Sequence, residues 1–378
     1  MLVVVGAAAC AAAPTPPEAP NAQRAGAPAG RTEALPRLVV TPDSASSIPE
    51  LYAQANAWLE QGEFARAARA FDRIVRLDPR GALAADAQFQ AAIAHEEAGD
   101  LSAAVTRFEQ LGRAYPEHAL AREALVRSVR VFGHLEEWQR AERAADVLFA
   151  RYADLGPFEG IVAHAAKGMG LLQRNDLDRA QHYIEKGRSI VEEHRLDGAG
   201  RIPRDLAQLY FALGEVRRKR ATAIRFHPLP DDFAAALERR CQLLLDAQSA
   251  YSDSMRAYDA HWSAMAGYRV GELYKDLHDE LMRIPPPASA GTEPRRQLFE
   301  GAMRLRYSIL LRKAATMMQH TIAMARRTGE VSPWVLKAEQ AERDLEQAIS
   351  AEDAAIDRLP HSRAELQAAL DELAARKR

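Results

Sequence analysis

The sequence predicts an all-α solenoid of stacked helix hairpins, on three observations. Hydrophobic residues make up 48% of the 378 residues, but aromatics only 7%. Much of the apolar share is Ala, which suits close-packed helices rather than a β-sandwich or barrel. A sequence pattern recurs with a period near 37 residues through the first half, the mark of a repeat architecture. No segment shows convincing alternation of apolar and polar residues with period two, so strands are not expected. The charge balance excludes other classes. A net charge of −2 and a pI of about 6.6 argue against a whole-surface nucleic-acid binder. Two cysteines are too few for a disulfide framework or a Cys-built zinc site, and no apolar run reaches transmembrane length.

The N-terminus reads as an export signal over residues 1–9. Leu2 to Ala9 are apolar and end in Ala7-Ala8-Ala9-Cys10. Small residues before a Cys resemble the bacterial lipobox, which implies cleavage before Cys10 and lipidation of that residue. Ala7 stands where that pattern usually has Leu, and no Lys or Arg precedes the apolar run. Residues 10–47 carry Pro14, Pro16, Pro17, Pro20, Pro28, Pro36 and Pro42 among Ala, Gly, Ser and Thr. Such a segment is expected to be a disordered, semi-extended tether.

The repeats occupy 48–200. Each turn carries a breaker, an acidic residue and then a bulky one: Gly62-Glu63-Phe64, Gly99-Asp100-Leu101, Glu136-Glu137-Trp138 and Asn175-Asp176-Leu177. An Ala follows three residues after the bulky one (Ala67, Ala104, Ala141, Ala180). Four residues further on stand Phe71, Phe108, Ala145 and Ile184. Upstream of each turn sit Ala55 and Trp58, Ala92 and His95, Val129 and Phe132, Gly168 and Leu171. A turn joins two antiparallel helices, the Ala admits the second helix close to the first, and the bulky residue fills the space toward the next repeat.

These matches resemble the tetratricopeptide repeat (TPR): Ala55, Trp58, Gly62, Phe64, Ala67, Phe71 and Pro79 in the first unit, and Ala92, Gly99, Ala104, Phe108 and Pro116 in the second. The 37-residue spacing and the stretch from Tyr115 to Leu125 look like the periplasmic subtype, found in the barrel-assembly lipoprotein and the Tol-associated coordinator of envelope division. Units three and four match less closely. The resemblance implies a right-handed superhelical solenoid whose first helices line a concave face. Repeat register places Tyr52, Asn56, Phe89, Ile93, Glu96, Arg130, Met169 and Gln173 on that face as candidate partner-binding residues. The implied function is a non-enzymatic scaffold of the bacterial cell envelope that binds a peptide or helix of an envelope protein. Its expected location is the periplasmic face of the outer membrane, anchored through lipidated Cys10. The competing readings are a cytosolic TPR regulatory adaptor and a docking module of an enzyme complex.

Residues 201–360 read as a degenerate, TPR-like helical domain with longer helices, and 361–378 as a C-terminal helix. Leu213-Gly214 and Val270-Gly271 with Tyr274 look like first helices of further units. Phe233, Leu237, Cys241, Leu244, Tyr251, Met255, Tyr258, Trp262 and Met265 form a heptad-like stripe with a polar gap at Gln248. Pro285, Pro286 and Pro287 break the run, a long helix follows over about 295–327, and Ser332-Pro333 opens another. Ser362 begins the last.

The search for chemistry is negative. No His-Glu-x-x-His, nucleophile elbow, phosphate loop or third glycine after Gly168-Met169-Gly170 is present. No catalytic residue, cofactor, metal or small-molecule substrate is expected. Glu272, Asp276 and Glu280 share one helical stripe, with His278 off it, and read as a solvated acidic face. Two basic clusters, Arg217 to Arg220 with Arg225 and Arg304 to Lys313, fit either an acidic, lipid or peptidoglycan partner or a solvated, internally paired face. Met303, Met317, Met318 and Met324 fit either core or an adaptable groove.

Overall fold

A computed structural model describes residues 47–198, 202–287 and 290–375. The expected signal peptide, Cys10 and the tether up to residue 46 lie outside the described residues. Fourteen α-helices, and no strand, occur among the described residues. They are α1 (Ile48–Glu60), α2 (Phe64–Leu77), α3 (Ala84–Glu97), α4 (Leu101–Ala114), α5 (Leu120–His134), α6 (Trp138–Arg151) and α7 (Pro157–Gln173). There follow α8 (Leu177–Glu193), α9 (Ala207–Ala223), α10 (Phe233–Arg256), α11 (Ala260–Met282), α12 (Glu293–Thr328), α13 (Pro333–Asp357) and α14 (Arg363–Ala375). The contacts divide the chain into two compact units, one ending at Val131 and the other starting at Phe132. The division falls inside α5 and not near residue 200, where the sequence suggests a change of character.

Local chemistry explains why each hairpin turns where it does. The breaker of each of the four repeats adopts a left-handed backbone: Gly62, Gly99, Glu136 and Asn175 have φ of +77°, +80°, +56° and +60°. Glycine takes this conformation without a Cβ penalty. The acidic residue that follows is the N-cap of the second helix. Asp100 accepts from the Ala103 amide at 3.0 Å and Asp176 from that of Arg179 at 3.3 Å. Glu63 and Glu137 make no cap bond of their own and instead pair with Arg66 and Arg140. All four carboxylates sit at the positive end of a helix dipole.

Packing follows the expected register. Ala55, Ala67, Phe71, Ala92, Ala104, Phe108, Ala141, Ala180 and Ile184 are all buried. In the first unit Tyr115 Oη donates to the Pro79 carbonyl at 2.6 Å, joining the two loops that follow the second helices.

The longer helices of the second half keep the same packing rule. Gly168 on α7 lies against Ile184 of α8, Gly214 on α9 against Tyr251 of α10, and Gly271 on α11 against Met318 of α12. A side chain at any of the three glycines would meet its neighbour's. The glycine and its bulky partner are 16 residues apart in the α7–α8 hairpin, 37 in α9–α10 and 47 in α11–α12. The extra residues lie mainly in the connection and in a longer second helix, of 24 residues in α10 and 36 in α12 against 17 in α8. What reads as degeneracy is insertion between contacts of one recurring kind.

The heptad-like stripe is not one helix. It breaks at Ala257-Tyr258-Asp259, where Tyr258 has φ +57° and is 66% exposed. Asp259 then caps α11 by accepting from the Trp262 amide at 3.1 Å. The polar gap at Gln248 has a partner in the structure, because its Oε1 accepts from Tyr274 Oη at 2.7 Å. Cys241, Met317 and Met318 are buried, so the methionine group contributes core. Ser332 occupies the N-cap of α13 without a side-chain cap bond. Ser362 and Glu365 cap α14 reciprocally, and Leu366 of α14 reaches back to Gly301 of α12.

Candidate partner-binding site

The expected site residues fall in both units, and the structure treats the two groups differently. In the N-terminal unit the first helices are α1, α3 and the start of α5. Tyr52 and Asn56 stand one turn apart on α1, both half-buried. Tyr52 packs edge-on against Phe71, ring centroids 5.5 Å apart. Burial and the facing carboxylate of Asp86 on α3 push its phenol up from the ordinary range. Ile93 and Glu96 are half-buried on α3. Glu96 pairs with Arg127 of α5 at 3.1 Å, and Arg130 lies half-buried about one turn further along α5. Tyr52, Asn56, Ile93, Glu96 and Arg130 are thus partly exposed on successive first helices. Phe89 is not on the surface: it is 7% exposed and packs edge-on against Phe108 at 5.7 Å. Phe89 turns toward Phe108 on α4, the second helix of its own hairpin, and so joins the hairpin core.

Beneath this face the hairpins are tied by charge. Asp72 of α2 receives a bidentate pair from Arg107 of α4, at 2.6 and 3.0 Å, and lies 3.3 Å from His95 Nε2 of α3. Burial pushes the Asp72 carboxyl up, but the hydrogen bonds and charges of Arg107 and His95 outweigh it and hold it below the usual range. Gln88 of α3 adds donations to the Arg107 carbonyl and to Gln110. These contacts fix the spacing of the two hairpins and hence of the side chains above.

In the C-terminal unit the remaining two residues separate. Met169 on α7 is 3% exposed and belongs to the core, and Gln173 is exposed at the end of the same helix. Met169 is buried because the first helices of this unit pack on one another. Phe211 of α9 meets Trp262 of α11 at 5.4 Å, and Trp138 meets Trp262 at 6.1 Å. His134, at the end of α5, lies over His261 at 5.0 Å and 3.5 Å from Asp259. Burial and then His134 lower the His261 imidazole to about 4, which keeps it neutral. Trp334 of α13 closes the cluster by donating Nε1–H to Glu136 at 2.7 Å, across 198 residues of chain. Repeat register identifies the inner helices correctly here but does not reveal that the unit fills its own interior.

Most arginines of the two basic clusters are internally bonded. Arg217 donates to the Asp246 carbonyl at 2.7 Å, Arg220 pairs with Asp178 at 3.2 Å, and Arg218 joins the buried Glu215 at 2.8 Å. Glu215 also accepts from Tyr251 Oη at 2.6 Å and pairs with Arg269 at 3.1 Å. Burial pushes this carboxyl up, and the charges of Arg269 and Arg218 bring it below the usual range. Arg304 pairs with Glu352 and Arg312 with Asp353. The stripe of Glu272, Asp276 and Glu280 is not a uniformly solvated face. Glu272 pairs with Arg269, and Glu280 with the buried Arg240. Sequence reasoning missed Arg240 because its partner lies 40 residues away on another helix. No group of metal-ligating side chains occurs among the described residues.

Residues 51–80 and 86–118 match the family model of the tetratricopeptide repeat. These two stretches span the first two helix hairpins, which are therefore of the tetratricopeptide class. No curated protein matches the chain. Among solved structures it is similar to a MamA RS-1 double mutant, at 17% identity and a TM-score of 0.35, covering 55% of this chain and 98% of that one. It is similar to a tetratricopeptide repeat protein from Parabacteroides merdae, at 12% identity and a TM-score of 0.42, covering 79% and 98%. A third similarity is to a monomeric mutant of IFIT1 with Gppp-AAAA, at 10% identity and a TM-score of 0.39, covering 80% and 72%.

Proposed function

We propose that the protein is a non-enzymatic protein–protein interaction scaffold of the bacterial cell envelope, and that its N-terminal unit presents the binding face. The observation that carries the choice of face is the contrast between the units. Tyr52, Asn56, Ile93, Glu96 and Arg130 remain accessible on α1, α3 and α5, whereas Met169 is core among the packed first helices of the C-terminal unit. The face combines an aromatic, an aliphatic, an amide and both charges, the mixture that anchors a peptide or helix by one or two apolar contacts and polar pairing. The C-terminal unit is filled by its own aromatics.

The test is a photo-crosslinking amino acid placed at position 93 of the full chain in a Gram-negative host, with position 336 on α13 as control. A discrete adduct at 93, absent at 336 and lost on Tyr52→Ala, is the expected result. No adduct at 93, or the same adduct at both positions, would overturn the assignment of the face. The envelope location rests on the lipobox-like Ala7-Ala8-Ala9-Cys10 and the proline-rich stretch after it. Membrane fractionation of the full chain and of Cys10→Ala tests it. Release of the variant from the outer-membrane fraction supports the anchor, and equal solubility of both chains favours the cytosolic adaptor.

A further inference from the structure

A cleft of about 580 Å³ opens in the C-terminal unit where the end of α9, the loop after it, α10 and the last two turns of α11 meet. That volume suits a small ligand. Its walls are charged, and the hydrogen bonds separate charges already used from charges left over.

The back wall is internally satisfied save at one atom. Arg240 is 2% exposed and pairs through Nη1 with Glu280, while also donating to the Ile224 carbonyl at 3.0 Å and lying over the Phe226 ring at 4.9 Å. Glu280 additionally accepts from the Phe226 amide at 3.1 Å. The buried Nε of Arg240 has no hydrogen-bond partner. His227 Nε2–H donates to the Arg283 carbonyl at 3.0 Å, and Asp279 is bonded by Lys275 at 2.5 Å and by His278.

Three charges remain at the mouth. The side chains of Arg225 and Arg283 are exposed and make no hydrogen bond or ion pair among the described residues. Arg217, Arg218 and Arg220 of the same sequence cluster are by contrast all bonded. Asp276, also exposed and also lining the cleft, has no ion pair within reach. Burial and the neighbouring Glu272 push its carboxyl up, opposed only in part by Arg218 and Lys275. Asp276 and Arg283 are seven residues apart along α11 and its C-cap, so about 10 Å separates them at 1.5 Å per residue.

We propose that this cleft binds a short free peptide, its terminal carboxylate held by Arg225 and Arg283 and its terminal ammonium by Asp276. The His227–Arg283 hydrogen bond brings the loop that carries Arg225 to the Arg283 end of the cleft, and two guanidiniums there match a carboxylate, for which planar bidentate donors are suited. A lone carboxylate two helical turns back opposes a second negative charge and favours an ammonium there. An extended chain spans about 3.3–3.6 Å per residue, so three residues bridge the 10 Å. The back wall needs no ligand to hold its shape, because Arg240 and Glu280 satisfy one another. This site is independent of the partner face on the N-terminal unit.

The test is calorimetric titration of the full chain with trialanine, N-acetyl-trialanine, trialanine amide and inorganic phosphate. Saturable binding of trialanine is expected, weakened at least tenfold by blocking either end. Arg225→Ala and Arg283→Ala should abolish the difference between free acid and amide. Asp276→Asn should abolish the difference between free and acetylated amine. All three side chains are exposed, and circular dichroism confirms that the variants fold. Absence of saturable trialanine binding overturns the proposal, as does equal affinity for the blocked and free peptides. Binding of phosphate as tight as that of trialanine overturns it too, by reducing the cleft to a simple anion site.

Discussion

At Gly62 the backbone has φ +77°, and a Cβ built there meets nothing within 4 Å. Substitution by Ala therefore tests conformation alone. A left-handed residue with a side chain costs about 1–2 kcal/mol, and reduced freedom of the unfolded chain returns about 0.4–1 kcal/mol. Gly62→Ala is expected to destabilise by about 1 kcal/mol, read from the denaturant midpoint. Asn175, at the equivalent turn with φ +60°, tests the converse: Asn175→Gly should leave stability unchanged or slightly raised. These positions are legible in the sequence because turn chemistry is local. Asp72 was not legible, since its meaning depends on Arg107 35 residues away and His95 on a third helix. Its carboxyl is held below the usual range, so the stability it contributes is present above the unfolded value near 3.8 and is lost as pH falls through the lower folded value. The natural chain should therefore lose more stability than Asp72→Asn between about pH 5 and about pH 3. Equal losses in parallel denaturant titrations would show that the ion pair contributes nothing measurable.

At the level of the helix, hairpin geometry is carried by small residues that receive large ones. The sequence shows this clearly where the interval is 12 residues from small residue to Ala, as from Ala55 to Ala67 and Ala92 to Ala104. It obscures the same contact in α9–α10 and α11–α12, where inserted turns separate Gly214 from Tyr251 and Gly271 from Met318. The heptad-like stripe misleads for a related reason. Periodicity continues across Tyr258 although the backbone reverses there, because both flanking helices bury apolar residues in one core. The two glycines differ in what an added methyl would meet. At Gly214 it would lie 2.5 Å from the ring of Tyr251, which is fully buried and held through its hydroxyl by Glu215. At Gly271 it would lie 2.4 Å from the terminal methyl of Met318, an unbranched chain able to move. Gly214→Ala should destabilise by about 1–3 kcal/mol through overpacking. Gly271→Ala should cost clearly less, because Met318 can move aside, so that the helix-propensity gain of about 1 kcal/mol common to both substitutions offsets most of the clash. Chemical denaturation of both variants gives the order, and a reversed order would show that the α9–α10 contact is the softer one.

The chain as a whole divides into a unit whose first helices keep a partly exposed face and one whose first helices pack on one another. The sequence shows the repeats of both and the difference in helix length. It does not show closure of the second unit, since that depends on residues as far apart as Glu136 and Trp334. Trp334 concentrates this closure. It is 3% exposed, packs edge-on against Tyr268 at 5.4 Å, lies beneath Arg269 at 5.0 Å and Lys337 at 3.8 Å, and donates to Glu136. Glu136 sits at a left-handed turn between α5 and α6. Trp334→Phe keeps most of the apolar area but removes the only donor of the indole, leaving a half-buried carboxylate without that bond. Such a loss costs about 1–3 kcal/mol. Trp334→Ala also removes the ring and should cost about 3–5 kcal/mol. Because Trp334 of α13 bonds to the turn after α5 and packs against Tyr268 of α11, the damage should appear as faster amide exchange in α11 and α13, with α1 to α4 unchanged. Faster exchange in α1 to α4, or no change in α11, would mean that Trp334 does not hold the second unit closed.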